Sequence, residues 1–173
     1  MTKTKLLAVL ATIVMLGSTM AAINLIVYAD SDTRDFKARL EGFSEVPAVS
    51  TMATGTFKAK LNKDGTMLEY ELSYSGLSGT ASAAHIHFGA SRTNGGVSAF
   101  LCRGGGKPAC PASGTVTGTI DATNVIGPVG QGIAAGELNE LITAMQSGVT
   151  YANVHTPLHP GGEIRGQINE HND

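Results

Sequence analysis

Apolar and polar side chains alternate with a period of two in stretch after stretch between Phe36 and Ile168, and this pattern constrains the fold more than any other feature. Phe36, Ala38 and Leu40 alternate with Lys37 and Arg39; Phe57, Ala59 and Leu61 with Lys58 and Lys60; Leu68, Tyr70 and Leu72 with Glu69 and Glu71. Successive side chains of a strand point to opposite faces, so each stretch reads as a half-buried β-strand. Asn62-Lys63-Asp64-Gly65 separates the second stretch from the third, and Asp-Gly supplies the positive-φ geometry that joins antiparallel strands. Residues 54–74 are therefore expected to form a hairpin.

The pattern continues at Ala84, Ile86 and Phe88, at Val97–Leu101, at Val116–Ile120, at Tyr151–Thr156 and at Ile164–Ile168, for a total of about eight strands. One helix is expected over Gly136–Ser147, where Leu138, Leu141, Ile142 and Met145 recur at helical spacing and Gly148 closes the end. The chain carries 22 glycines without a Gly-X-Y period, which excludes collagen and provides turns between short strands. With 42% hydrophobic and 15% charged residues it has the apolar content for a core and lacks the composition of a disordered chain. The expected fold is all-β: an antiparallel, Greek-key-like β-sandwich of about eight strands with one short amphipathic helix, in a single domain over residues 30–173. Residues 30–35 and 169–173, being polar, are expected to fray.

Part of the apolar content has a different purpose. Lys3 and Lys5 precede an uncharged run over residues 6–29 that ends in Val27-Tyr28-Ala29, the pattern of an export signal with cleavage after Ala29. The same run is long enough to span a bilayer, so an uncleaved anchor is the alternative, and the only membrane association expected is through this segment. Export to a secreted or cell-surface location agrees with the cysteines. Cys102 and Cys110 flank Arg-Gly-Gly-Gly-Lys-Pro-Ala, a loop whose ends meet easily, and a disulfide is expected rather than a two-thiolate metal site, which would want a CxxC spacing and further ligands.

Four of the five histidines fall in two segments, His85-Ile-His87 and His155-Thr-Pro-Leu-His159. His85 and His87 share one strand face, opposite Ala84, Ile86 and Phe88. Tyr151, Asn153 and His155 share another, and Glu163, Arg165 and Gln167 a third. If these strands are neighbours, their polar sides form one patch. Two strand imidazoles at i and i+2 with a third from a neighbouring strand suit Zn²⁺ or Cu²⁺, so His85, His87 and His155 are candidate ligands, with His159 or Glu163 as additional ones. The alternative is a hydrogen-bonded network that ties the sheet to the loop at 156–162 and binds nothing. Glu163 with Arg165 reads most simply as an ion pair. With 12 Lys+Arg against 14 Asp+Glu there is no basic excess for a phosphate backbone, and nucleic acid is not an expected partner. No nucleophile elbow is present, and Gly104-Gly105-Gly106-Lys107 lacks the strand-loop-helix setting of a phosphate loop, so catalysis is not the leading expectation.

Three separated segments resemble the CHRD domain, named for chordin: Phe36-Lys-Ala-Arg-Leu-Glu-Gly-Phe-Ser-Glu-Val-Pro-Ala-Val; His85-Ile-His-Phe-Gly-Ala with Asn94-Gly-Gly-Val; and Tyr151-Ala-Asn-Val-His-Thr with His159-Pro-Gly-Gly-Glu-Ile-Arg-Gly-Gln. The resemblance covers roughly residues 34–169. It implies an extracellular, mostly β domain, which in animal chordins is part of a growth-factor antagonist and in microbes usually stands alone behind a signal peptide. This chain lacks chordin's cysteine-rich modules, so antagonism is not transferred. The resemblance implies an exported binding module for an unknown extracellular protein or envelope component, or a structural envelope protein. The histidine pattern is also loosely similar to that of copper-zinc superoxide dismutases, which would make His85, His87 and His155 copper ligands. It departs from them in having no bridging histidine between Phe88 and Tyr151 and no companion zinc ligands.

Overall fold

The computed structural model describes residues 34–171; the export segment expected over residues 1–29 lies outside them. The described chain forms eight strands: β1 (Asp35–Glu41), β2 (Thr54–Leu61), β3 (Leu68–Ser75), β4 (Ala83–Phe88), β5 (Gly96–Cys102), β6 (Gly114–Ile120), β7 (Thr150–His155) and β8 (Ile164–His171). The helix α1 (Leu138–Gln146) stands between β6 and β7. Asp35 of β1 pairs with His171 of β8, so residues 35 and 169–171, expected to fray, are held as strand in the middle of the sheet, while residues 30–33 and 172–173 lie outside the described residues. Backbone hydrogen bonding between the two end strands outweighs their polar composition.

All pairings are antiparallel, and the strands form one sheet in the order β5-β4-β7-β8-β1-β2-β3-β6. The β2–β3 hairpin has the expected place. Gly65, at φ 69°, turns it, and the Asn62 side chain accepts from the Thr66 and Met67 amides. After β3 the chain crosses to form β4 and β5 on the far side, then returns with β6 to pair with β3, which is the Greek-key element of the topology. The sheet rolls until it is nearly closed. Across the gap between its edge strands, the Tyr70 hydroxyl of β3 donates to the Leu101 carbonyl of β5 at 2.6 Å. The Cys102–Cys110 disulfide staples the loop leaving β5, with its Cα atoms 5.1 Å apart.

The apolar set of each alternation lines a single interior: Phe36, Phe57, Leu68, Leu72, Ile86, Leu101, Ile164 and Ile168 are fully buried there, joined by Leu141 and Met145 of α1. Three polar strand faces lie outside this interior yet are largely covered. The outer sides of β4, β7 and β8 are roofed by the loops at 43–50, 89–96 and 156–163, and it is there that the polar motif residues gather.

Candidate metal centre

β4 pairs with β7 and β7 with β8, so the three polar strand faces are neighbours. The register sets His85 opposite Asn153, His87 opposite Tyr151 and Asn153 opposite Arg165. Irregularities in the β4–β5 pairing on either side of His85 and Ile86 locally re-aim the histidine strand.

One ring nitrogen from each of His85, His87 and His155 lies within 4.8 Å of the others, and among the described residues this is the sole such group of potential metal ligands. Three atoms so placed all lie within about 2.8 Å of a shared point, so a metal–imidazole bond of 2.0–2.1 Å requires each ring to move inward by up to about 0.7 Å. His159 is not part of the group. Its backbone is engaged with Thr156 in the turn that carries it. Glu163 is not part of it either. Fully buried, its carboxylate accepts from the Thr51, Ser78 and Thr156 hydroxyls and from the Ser78 amide, at 2.7–2.9 Å. Burial pushes this carboxyl up, but the donors from Ser78, Thr156 and Thr51 together hold it below the ordinary carboxylate range. Glu163 ties three loops to the sheet.

The ring orientations are fixed by carbonyls. His87 Nδ1 donates to the Gly95 carbonyl at 3.0 Å and His155 Nδ1 donates to the Pro160 carbonyl at 3.1 Å. Each of these rings therefore carries its proton on Nδ1 and turns an Nε2 lone pair toward the group, the outer-shell arrangement that orients ligand histidines in metal sites. In the metal-free chain His155 Nε2 accepts from His85 Nδ1 at 3.0 Å, whereas His87 Nε2 is buried with no partner. Burial is the main force that keeps all three neutral. It takes His85 down to about 3, aided by the charges of His155 and His87, and His87 down to about 4, against the Gly95 bond and aided by His155 and Arg165. It lowers His155 too, against the Pro160 bond.

Aromatic contacts wall the group. His85 meets the edge of Phe100 at 4.7 Å, and His87 lies parallel to Tyr151 at 4.8 Å. The Arg165 guanidinium sits 4.2 Å from the centre of the same Tyr151 ring. Arg165 does not pair with Glu163. It donates instead to the Ser44 and Thr93 carbonyls and to Asn94 Oδ1, fastening two roof loops to β8. Asn153 donates to Glu45 Oε1 at 2.6 Å, and burial raises the Glu45 carboxyl to about 7, against the opposing pulls of Asn153, Arg165 and the Val46 amide.

The segment Phe36–Val49 thus reaches the second motif through Asn94, which donates to the Val46 carbonyl, and the third through Asn153 and Arg165. A family model described as CHRD domain matches residues 36–168, from the first of these segments to the last. The chain belongs to the CHRD domain family. The CHRD motif residues that are far apart in sequence are those that meet over β4, β7 and β8. CHRD domains are extracellular, in keeping with a disulfide that belongs to an oxidising compartment. No curated protein matches the chain, and no solved structure does. The loose likeness to copper-zinc superoxide dismutases therefore gains nothing from these comparisons.

Sequence reading missed Glu45, Phe100 and the two orienting carbonyls. Phe100 and Pro160 give no polar signal, but Gly95 leaves a trace: a Cβ at this position would collide with the Phe88 carbonyl oxygen, so only glycine lets the loop lie close enough to His87.

Proposed function

We propose that this CHRD domain is an exported binding module whose ligand is a single copper or zinc ion, held by His85, His87 and His155. One observation carries the reading: the Nε2 of His87 is buried without a partner in the middle of a converging imidazole group. An unsatisfied buried acceptor costs free energy, and such exceptions call for a bound water or ion or for a functional role. Copper and zinc both favour imidazole. The lysines and apolar run at the N-terminus and the disulfide support an extracytoplasmic location. A bound ion would be held by neutral rings, while the Gly95 and Pro160 carbonyls keep those rings from turning.

A protein- or envelope-binding role is the second reading. It draws on Phe43 and Leu158, exposed by 72% and 68% on loops of the same roof.

Elemental analysis after equilibration with copper and zinc and removal of loose metal tests the proposal. The expected result is one tightly held ion per chain, with at least about a tenfold loss of retention in His87→Ala, the scale on which ligand shells act on affinity. Circular dichroism checks that the variant folds. Equal metal content in a folded His87→Ala would contradict the reading.

A further inference from the structure

The charge around the three histidines bears on which ion they take. We infer that the site selects copper(I), a monovalent ion, over the divalent ions zinc(II) and copper(II). This selectivity presupposes the trihistidine site proposed above.

Three neutral imidazoles bring no negative charge, and the converging group contains no carboxylate or thiolate. The buried acids of the roof are engaged elsewhere. Glu163 is surrounded by four donors from Thr51, Ser78 and Thr156, and Glu45 holds Asn153. The formal charge that does approach is positive: the ring of Tyr151 that stacks on His87 also carries the Arg165 guanidinium, fixed by three hydrogen bonds.

The site is also largely withdrawn from water, with His85 alone partly exposed. His87 and His155 are each 8% exposed, and Phe100 packs against His85. The cost of moving an ion out of water into such a place grows with the square of its charge, so a divalent ion pays about four times what a monovalent one pays. Its repulsion from the guanidinium is doubled as well. Zinc sites meet this cost with thiolates, carboxylates or a bound hydroxide and favour four ligands. Copper(I) is satisfied by three nitrogen donors in a plane, which is the number these strands provide. The selectivity is therefore built from what surrounds the ligands, since the imidazoles alone would accept either metal.

The test uses the folded, metal-free chain under anaerobic conditions at pH 7, titrated separately with copper(I), copper(II) and zinc(II) against chromophoric chelators. The expected result is one copper(I) per chain with a dissociation constant about 100-fold or more below those of both divalent ions, a modest outcome for charge effects of this kind. Arg165→Gln is expected to narrow that ratio by about tenfold and Arg165→Lys to preserve most of it, because the charge remains. Zinc(II) or copper(II) bound as tightly as copper(I) in the wild-type chain would overturn the selectivity and leave the trihistidine site standing. Failure of all three ions to bind, with His87→Ala indistinguishable from wild type, would overturn the site itself. An unchanged ratio in folded Arg165→Gln would remove the guanidinium from the explanation.

Discussion

His85, His87 and His155 hold their imidazoles neutral in surroundings that resist protonation, and this has a consequence for stability. In the unfolded chain each would titrate near 6.5, whereas in the folded chain His85 and His87 titrate at about 3 and about 4 and His155 is lowered too. Below about pH 6.5 the unfolded state therefore takes up protons that the folded state refuses, and acid destabilises the fold. Glu45 works the other way. Its folded value is about 7 against an ordinary 4.5, so its burial is costly at neutral pH and the cost is relieved on acidification. Between pH 6.5 and 4.5 the protons that His85 and His87 take up on unfolding outnumber the one that Glu45 gives up, a net uptake of about one proton to which the lowered His155 adds. Urea unfolding of the metal-free chain should show a midpoint that falls steadily over this range. In Glu45→Gln the fall should be steeper, because the compensating proton is gone. A flat profile would mean that the three imidazoles are not buried neutral.

At the scale of elements, the strands were legible because alternation is a local property: Phe57, Ala59 and Leu61 bury and Lys58 and Lys60 do not, whatever they pair with. The helix over Leu138–Gln146 was legible for the same reason, its buried side recurring at helical spacing. The loop after β5 was legible as a staple but not as the cover it provides. Gly104 and Gly105 lie against the Phe100 ring, and Lys107 donates to the Thr119 carbonyl on the edge of β6, so the stapled loop fills the gap between the edge strands. Because the loop is short, its chain-entropy contribution is moderate: Cys102→Ser should lower stability by about 2–3 kcal/mol in urea unfolding under oxidising conditions. The difference should vanish when wild type is reduced. A variant unfolded without denaturant would show that the staple, rather than the core, holds β5 and β6 together.

At the scale of the whole molecule, the site exists because the chain crosses the sheet. β4 and β7 are separated by β5, β6 and α1 in sequence but are adjacent in the sheet, and nothing local in either strand states that they pair. His85 and His87 could be placed together from their spacing alone; His155 could be added only as a conditional neighbour. Glu163 and His159 were credible ligands by residue type, and what removes Glu163 is a set of donors from Thr51, Ser78 and Thr156, two of them remote in the chain. The same nonlocality brings the three CHRD segments into one roofed patch, with Arg165 reaching Ser44, Thr93 and Asn94 at once.

That patch is a metal centre only if the three imidazoles bind one ion together, and X-ray absorption at the metal edge of the copper-loaded chain observes this directly. The expected spectrum contains three nitrogen scatterers at about 2.0 Å with the outer-shell pattern of imidazole rings. In His87→Ala the number should fall to two, or the metal should be lost. A spectrum dominated by water oxygens, or one unchanged by His87→Ala, would contradict the trihistidine centre.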